Sequence, residues 1–343
     1  MSFLAIEWNP SIGIDLGFFV IRWYSLMFVT AFLLGLRIMK KIYITDNIPV
    51  EKVDPLFMYV FLSMLLGMRL GDVFFYSWDY YQNHLLEIFL PIYGEARDIP
   101  GVNGTSKLSP FLKFGQIHVE TIWKKCQDIK IKKMGYRKYI NELGWREFSH
   151  SLINYFPQML KGNLRKDFDN FPWVKNDKFL KAWKKGMTGY PIVDAGMREL
   201  YETGWMHNRV RMIVASFLVK HLRIHWNEGE KHFKNCLVDY NEASNVAQWQ
   251  WVAGCGADAA PYFRIFNPIL QGEKFDKDGI YTKKWVPELK NMPNKFLYKP
   301  WELENKYQKQ IKVIVGADYP KPIVDHAEAR NAALDAFKTI KKS

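Results

Sequence analysis

The chain changes texture once. Over residues 1–92 the apolar positions run together. Gly17–Met39 is nearly all apolar, broken by Arg22 and Arg37, and Leu56–Trp78 repeats the pattern, broken by Arg69 and Asp72. The strictly uncharged stretches reach only about 14 residues, short of the ~20 that span a bilayer as a helix. Arginine near a helix end can snorkel to the interface and lengthen the effective span. The pattern therefore predicts two membrane-type helices, with buried core helices as the alternative. From Tyr93 onward, charged and aromatic residues alternate at helical spacing, and few runs have the period of a strand. Helices are expected over Lys138–Phe148, Asp177–Lys185, Ile192–Tyr201 and Trp205–Leu222. Gly and Pro mark breaks at Pro100–Gly104, Gly186–Pro191, Gly254–Gly256 and Pro287–Pro300. Residues 93–343 read as one mostly α domain with an irregular, Pro-bearing C-terminal region.

Charge sharpens the division. Residues 1–93 carry six basic against eight acidic residues, a net of −2; the remainder carries 42 against 27, a net of +15. A basic globular domain suits a polyanion, nucleic acid foremost, although a solvated basic surface has the same composition. The 13 Trp residues suggest stacking surfaces or electron traffic, although packing alone could use many of them. Three cysteines without CxxC spacing argue against a disulfide scaffold and for a reducing compartment. No basic segment precedes the apolar run and Lys40–Lys41 comes after it, which argues against a cleavable signal peptide. Those lysines would place the loop between two spans in the cytoplasm and send the second segment outside it. A basic domain suited to nucleic acid would meet no genome there, so the halves read as a fusion in which one is a passenger, a chimera, or joined fragments.

Four stretches of the second segment carry candidate chemistry. Tyr93-x-x-x-Arg97-Asp98-x-Pro100 leads into Gly104-Thr105-Ser106-Lys107-Leu108-Ser109. A hydroxyl-rich turn opening a helix offers side-chain O–H and free backbone N–H groups to a pyrophosphate, though such turns cap many helices. In Glu142-Leu143-Gly144-Trp145-Arg146-Glu147-Phe148, the carboxyl and the indole share a helical face. They can bond and stack on one base, and an amphipathic surface helix is the blander alternative. Gly189–Leu200 continues to Gly204-Trp205-Met206-His207-Asn208-Arg209-Val210-Arg211-Met212. There Asn208, Arg211 and Met212 share a face, and Arg209 points elsewhere, where it could meet a phosphate. His207 lacks a second metal ligand at suitable spacing and reads as a satisfied structural histidine. The fourth stretch runs Asp239–Asn245, Trp249-Gln250-Trp251 and Asp258–Pro268.

Taken in order, these stretches resemble the FAD-binding helical domain of the photolyase and cryptochrome family, specifically photolyases acting on cyclobutane pyrimidine dimers. The resemblance covers about 245 residues, to near Lys338. It implies that Tyr93, Thr105, Ser106, Lys107, Leu108 and Ser109 hold FAD, active in its reduced form, with Arg211, Asp239, Tyr240, Asn241 and Asn245 around the isoalloxazine. It implies a lesion pocket of Glu142, Trp145, Asn208, Met212 and Trp251. Arg97, Arg146, Arg209, Arg264 and Gln271 would face DNA, and Trp249, Trp226 and Trp173 would relay electrons between flavin and surface. No metal is implied. The implied substrate is UV-damaged DNA, and no protein partner is inferred.

Residues 1–92 resemble the first two membrane helices of prolipoprotein diacylglyceryl transferase. The words that carry this are Trp8-Asn9-Pro10-Ser11, Ile21–Phe28 and Gly67–Tyr76, with Met68 and Asp72 departing from the usual Ala and His. The later catalytic segments have no counterpart here, so that activity does not carry over. The expected architecture is thus an all-helical photolyase-type FAD domain preceded by two membrane-type helices. The α/β antenna domain of the family is absent and no antenna chromophore is expected. The expected location is the cytoplasm for the flavin domain, with inner-membrane association through residues 1–92. Asn241 departs from the family's Asp and puts flavin affinity or redox tuning in question. Asn245 favours a photolyase over plant cryptochromes, and Asn208 favours the cyclobutane lesion over the (6-4) lesion. The rival readings are a light-sensing flavoprotein without repair and, last, a membrane lipid transferase.

Overall fold

The computed structural model describes residues 13–15, 20–46, 48–56, 58–59, 63, 93–94, 96–128, 134–258 and 264–341. The chain divides into two compact units, Met1–Asn83 and His84–Ser343.

In the first unit, β1 (Gly13–Asp15) pairs antiparallel with β2 (Val20–Arg22), Ile14 opposite Ile21. Helix α1 (Trp23–Thr45) comes next. This corrects the expected first membrane helix. Residues 20–22 of the apolar run are strand, and the helix starts at Trp23 and runs on through Arg37, Lys40 and Lys41. Lys40 pairs with Asp54 at 3.2 Å. Among the described residues, no helix is long and apolar enough to cross a membrane. The second apolar run, Leu56–Trp78, lies almost wholly outside the described residues.

The second unit is helical. Its elements are α2 (Ser109–Lys113), α3 (Val119–Asp128), α4 (Met134–Tyr155), α5 (Asp177–Lys184), α6 (Pro191–Thr203), α7 (Asn208–Ser216), α8 (Trp226–Cys236) and α9 (Glu242–Ala253). Then come α10 (Pro268–Phe275), α11 (Ile280–Trp285), α12 (Asn294–Leu297), α13 (Asn305–Gln310) and α14 (His326–Lys341). The C-terminal region is therefore more regular than its prolines suggest. Pro268 takes the first turn of α10, where no N–H is required, and the Asp325 carboxylate accepts from the N–H groups of Ala327 and Glu328 to open α14.

Polar residues of the sequence motifs start and stop these helices. Asn176 accepts from Phe179 N at 3.0 Å, Asn241 from Ser244 N at 3.0 Å, and Asn267 from Ile269 N at 2.9 Å. His207 and His225 cap α7 and α8 through Nδ1. Gly204 and Gly254 end α6 and α9 in the left-handed conformation that glycine adopts without steric cost.

Helix α6 is the centre of the core: nine of its residues from Pro191 to Leu200 are buried, and α7 and α11 pack on it. A side chain at Gly196 would land on Val210, so glycine sets the closest approach of α6 and α7. Asp194, fully buried, accepts from Thr188 N and Oγ1, Gly189 N and Tyr319 O–H; burial raises its pKa. Helix α9 packs on α4 and α8. Gln250 on α9 is fully buried. Its Nε2 donates to Met159 O (2.9 Å) and Gly162 O (3.0 Å), and its Oε1 accepts from Leu164 N (2.9 Å).

Helix α7 runs on into a π-helical turn, Phe217–His221. Helix α14 packs against that turn, and His221 Nε2 meets His326 Nδ1 at 2.9 Å. Burial pushes His221 down to about 3 and lowers His326 as well. Both are held neutral when folded, whereas the unfolded chain binds protons at the ordinary value of 6.5. The stability they contribute is therefore present above pH 6.5 and is lost as pH falls towards 3. Thermal melts across that window should show falling midpoints, with a shallower fall in the His221→Gln, His326→Gln double variant. Equal slopes would contradict this account.

Candidate functional site

The residues expected around a flavin gather on α7, the α8–α9 connection and the start of α9. Arg211 Nη2 donates to Asp239 Oδ2 at 2.8 Å and Oδ1 at 3.1 Å, while its Nε donates to Met206 O at 2.7 Å. The Asp239 side chain is 3% exposed and that of Arg211 25%. Glu230 on α8 ties the next two residues together: Tyr240 O–H donates to its Oε1 at 3.0 Å, and Asn245 Nδ2 lies 3.2 Å from the same oxygen. Asn241 has two partners. Its oxygen caps α9, and its Nδ2 meets His150 Nε2 on α4 at 3.1 Å.

The hydroxyl-rich turn lies against a small cluster of its own. Tyr93 is buried edge-on against Tyr139, centroids 5.2 Å apart, with Leu108, Leu112 and Ile122 around them. Burial pushes the Tyr139 phenol up to about 12, opposed by its hydrogen bond with Ser106. Lys107 has φ +52°, Leu108 is right-handed, and the Leu108 N–H lies 3.5 Å from Ser106 Oγ. A non-glycine residue at positive φ costs about 1 kcal/mol or more. Thr105 and Ser106 are half-buried, and Ser109 is exposed as the first residue of α2.

A charged chain joins several of the residues expected at lesion and DNA. Glu142 Oε1 accepts from Arg97 Nη1 at 2.6 Å. Arg97 Nε lies 3.8 Å from Asp98 Oδ1, which accepts from Arg209 Nη2 at 2.9 Å. The Arg209 guanidinium also lies over the Phe275 ring of α10 at 4.3 Å, with Met212 Sδ 4.0 Å from Nη1. Trp145 is 40% exposed and packs edge-on against Phe148. Asn208 is exposed at the start of α7, and Trp251 is half-buried with Nε1 donating to Asp258 O at 3.0 Å. The remaining candidates are less gathered. Arg146 pairs with its neighbour Glu147, Gln271 is half-buried one turn before Phe275, and Arg264 is exposed beside residues outside the described set.

The three relay tryptophans lie in or against one core. Trp249 is 2% exposed between Phe233 and Trp183, and a side chain at Gly229 of α8 would land on its ring. Trp226 is 1% exposed and donates to Asn163 Oδ1 at 2.8 Å. Trp173 is half-buried and reaches Trp226 through His225, at 4.9 and 5.5 Å between ring centroids.

Sequence reasoning missed Asp98, Glu230, His150 and Phe275, which hold the motif residues in place from distant parts of the chain. Asp98 stands within the first motif; the other three bear no local mark. His207 is only half satisfied: Nδ1 caps α7, which places the proton on Nε2, and that buried atom has no partner. Burial pushes His207 down to about 4, with Asp98 opposing.

The fold and site define a helical domain that gathers basic, amide and aromatic groups around α4, α7 and α9. Residues 139–339 match the family model described as the FAD binding domain of DNA photolyase, and the chain belongs to that family. Residues 11–95 match the model for prolipoprotein diacylglyceryl transferase. The deoxyribodipyrimidine photo-lyase of Agrobacterium fabrum is 51% identical over 253 residues, 73% of this chain and 53% of that protein. The Escherichia coli photo-lyase is 46% identical over 257 residues, 73% and 52% of the two chains. The crystal structure of a class III photolyase from Agrobacterium tumefaciens superposes with a TM-score of 0.72 at 50% identity, covering 75% of this chain and 55% of that one. A Synechocystis cryptochrome gives 0.71 at 36% identity, covering 75% and 54%. The chain spans about half the length of the curated relatives it matches.

FAD is the cofactor of this family, and the residues present fit it. The turn at Lys107, with the hydroxyls of Thr105, Ser106 and Ser109 around it, suits a pyrophosphate. The Arg211–Asp239 pair, with the unpaired His207 Nε2 on the same helix start, offers polar groups for a ring with donor and acceptor edges.

Proposed function

We propose that residues 93–343 form a light-driven enzyme domain that splits cyclobutane pyrimidine dimers in DNA. The observation that supports this best is the double role of α7. Through Arg211 it carries the Asp239 pair, and through Arg209 and Asp98 it joins Arg97 and Glu142. Reduced FAD excited by light supplies the electron that opens the dimer and recovers it afterwards. The chain does the rest. The turn at residues 104–109, with Tyr93 beside it, holds the pyrophosphate end, and Arg211, Asp239, Tyr240, Asn241 and Asn245 orient the ring.

The lesion must leave the base stack, and damaged bases cost least to flip. Trp145, Trp251 and Met212 then offer an apolar, stacking pocket, and Glu142 and Asn208 bond the base edges. Arg97, Arg146, Arg209, Arg264 and Gln271 take the DNA backbone. Residues 1–92 take no part in this chemistry, since every assigned residue lies at Tyr93 or beyond.

The test is a dimer-bearing oligonucleotide under blue light with the flavin reduced. The dimer should revert to monomers, and should persist in the dark. Flavin-loaded protein without repair would instead support light sensing, the second reading, which the likeness to a cryptochrome structure favours. Two substitutions separate the contacts. Trp145→Ala should lower the preference for damaged over undamaged duplex about tenfold, one lost stacking contact. Arg209→Ala should weaken both alike and reduce the log–log salt slope by about one. Equal loss on both duplexes for Trp145→Ala would count against its stacking role.

A further inference from the structure

We propose that Asp98 is a positioning residue for DNA: its carboxylate aims the Arg209 guanidinium at a backbone phosphate, so an acidic side chain strengthens binding to a polyanion. The inference rests on the reading of residues 93–343 as a DNA-binding domain.

Asp98 belongs to no helix, yet it is the group through which three others meet. Its Oδ1 accepts from Arg209 Nη2 of α7 at 2.9 Å and lies 3.8 Å from Arg97 Nε. Arg97 in turn reaches Glu142 of α4 at 2.6 Å. Arg209 is held on two further sides, by the Phe275 ring of α10 at 4.3 Å and by Met212 Sδ at 4.0 Å from Nη1. A guanidinium is a rigid planar fork, so fixing one nitrogen and one face fixes the direction of its remaining donors. The side chain is 21% exposed, which leaves an edge open to solvent. Asp98 itself is 36% exposed, close enough to the surface for its charge to be felt by an approaching duplex.

Two physical effects of Asp98 oppose each other. By charge alone it repels DNA, and removing it should raise affinity and leave the salt slope no smaller. By position it keeps two guanidinium groups, which repel one another, in one arrangement. Without it Arg209 is free to leave the Phe275 face, and the phosphate contact must be made from a disordered side chain. The second effect is the larger one here, because the Asp98–Arg209 bond, at 2.9 Å, is charge-assisted and links separate elements, whereas a lone surface charge is screened within about 8 Å at physiological salt.

The experiment uses the full flavin-loaded chain and two duplexes of one sequence, undamaged and dimer-bearing, titrated over a range of salt. Asp98→Asn should bind both duplexes about tenfold more weakly despite the gained positive charge, with a salt slope lower by about one. The double variant Asp98→Asn, Arg209→Ala should be no weaker than Arg209→Ala alone. Asp98→Glu keeps the charge and displaces it by a methylene. It should weaken binding too, and serves if the Asn variant does not retain flavin. Tighter binding by Asp98→Asn, additive losses in the double variant, or unchanged binding by Asp98→Glu would each overturn the positioning role. An unsubstituted chain that does not prefer the dimer-bearing duplex would overturn the functional reading instead, so the two failures are distinct.

Discussion

Replacing Trp249 by Phe is expected to abolish light-driven reduction of bound, oxidised flavin while leaving dimer repair intact once the flavin is reduced chemically. The substitution keeps an aromatic ring in a site that is 2% exposed, so the core survives. What it removes is an indole that can be oxidised. Trp249 has no hydrogen-bond partner for Nε1 and is packed by Phe233, Trp183 and the bare backbone of Gly229. The outer ring of the indole fills the space over Gly229, so circular dichroism must show that the fold of the variant persists, while no hydrogen bond to Nε1 is lost. The path it would open ends at half-buried Trp173. The measurement is flavin absorbance under illumination with an external reductant, beside a repair assay after reduction in the dark. Photoreduction at the unsubstituted rate would refute the relay.

Asp239→Ala should strip the protein of FAD. Its carboxylate is almost fully buried and meets one guanidinium nitrogen through both oxygens. Removing one partner of a buried pair costs ~3–5 kcal/mol. Arg211 is a quarter exposed, so water recovers part of that, leaving about 2–3 kcal/mol. If that cost falls on the flavin-bound geometry, affinity drops roughly 30–150-fold. Asp239→Asn keeps the shape and should fall between. Flavin retained per protein after dialysis reads the effect, and far-ultraviolet circular dichroism checks that the helices persist. Full occupancy in the Ala variant would remove Asp239 from the site.

These two side chains are legible in the sequence because they stand in ordered motifs. The groups that hold them are not. His150 meets Asn241 across 91 positions and Asp98 meets Arg209 across 111, so no local pattern links them. Helices with clear start and stop residues are legible nearly to the residue: Asn176 caps the start of α5, and Pro191 opens α6 and Gly204 ends it. The Trp205–Leu222 run is shorter at its start than its periodicity predicts. Residues 205–207 lie outside any helix, and a histidine side chain, an unusual cap, begins α7. Its far end turns π-helical, which leaves no compositional trace. Helix α14 is hidden because the prolines before it suggest continued irregularity. In the first segment, apolarity alone does not distinguish a strand pair followed by a helix that runs through Arg37, Lys40 and Lys41 from one continuous span.

Gln250 has a mechanical consequence. Residues two apart on a helix point about 200° apart, so Trp249 and Trp251 stand on opposite walls of α9 with Gln250 between them. Any roll of α9 about its axis would carry one indole inwards as the other swung outwards, trading the electron path against the proposed lesion pocket. The three hydrogen bonds from Gln250 to the backbone of Met159, Gly162 and Leu164 act as a key in a shaft. They lock the rotation of α9, so that under the proposed assignment neither wall can be retuned by a helix roll without detuning the other.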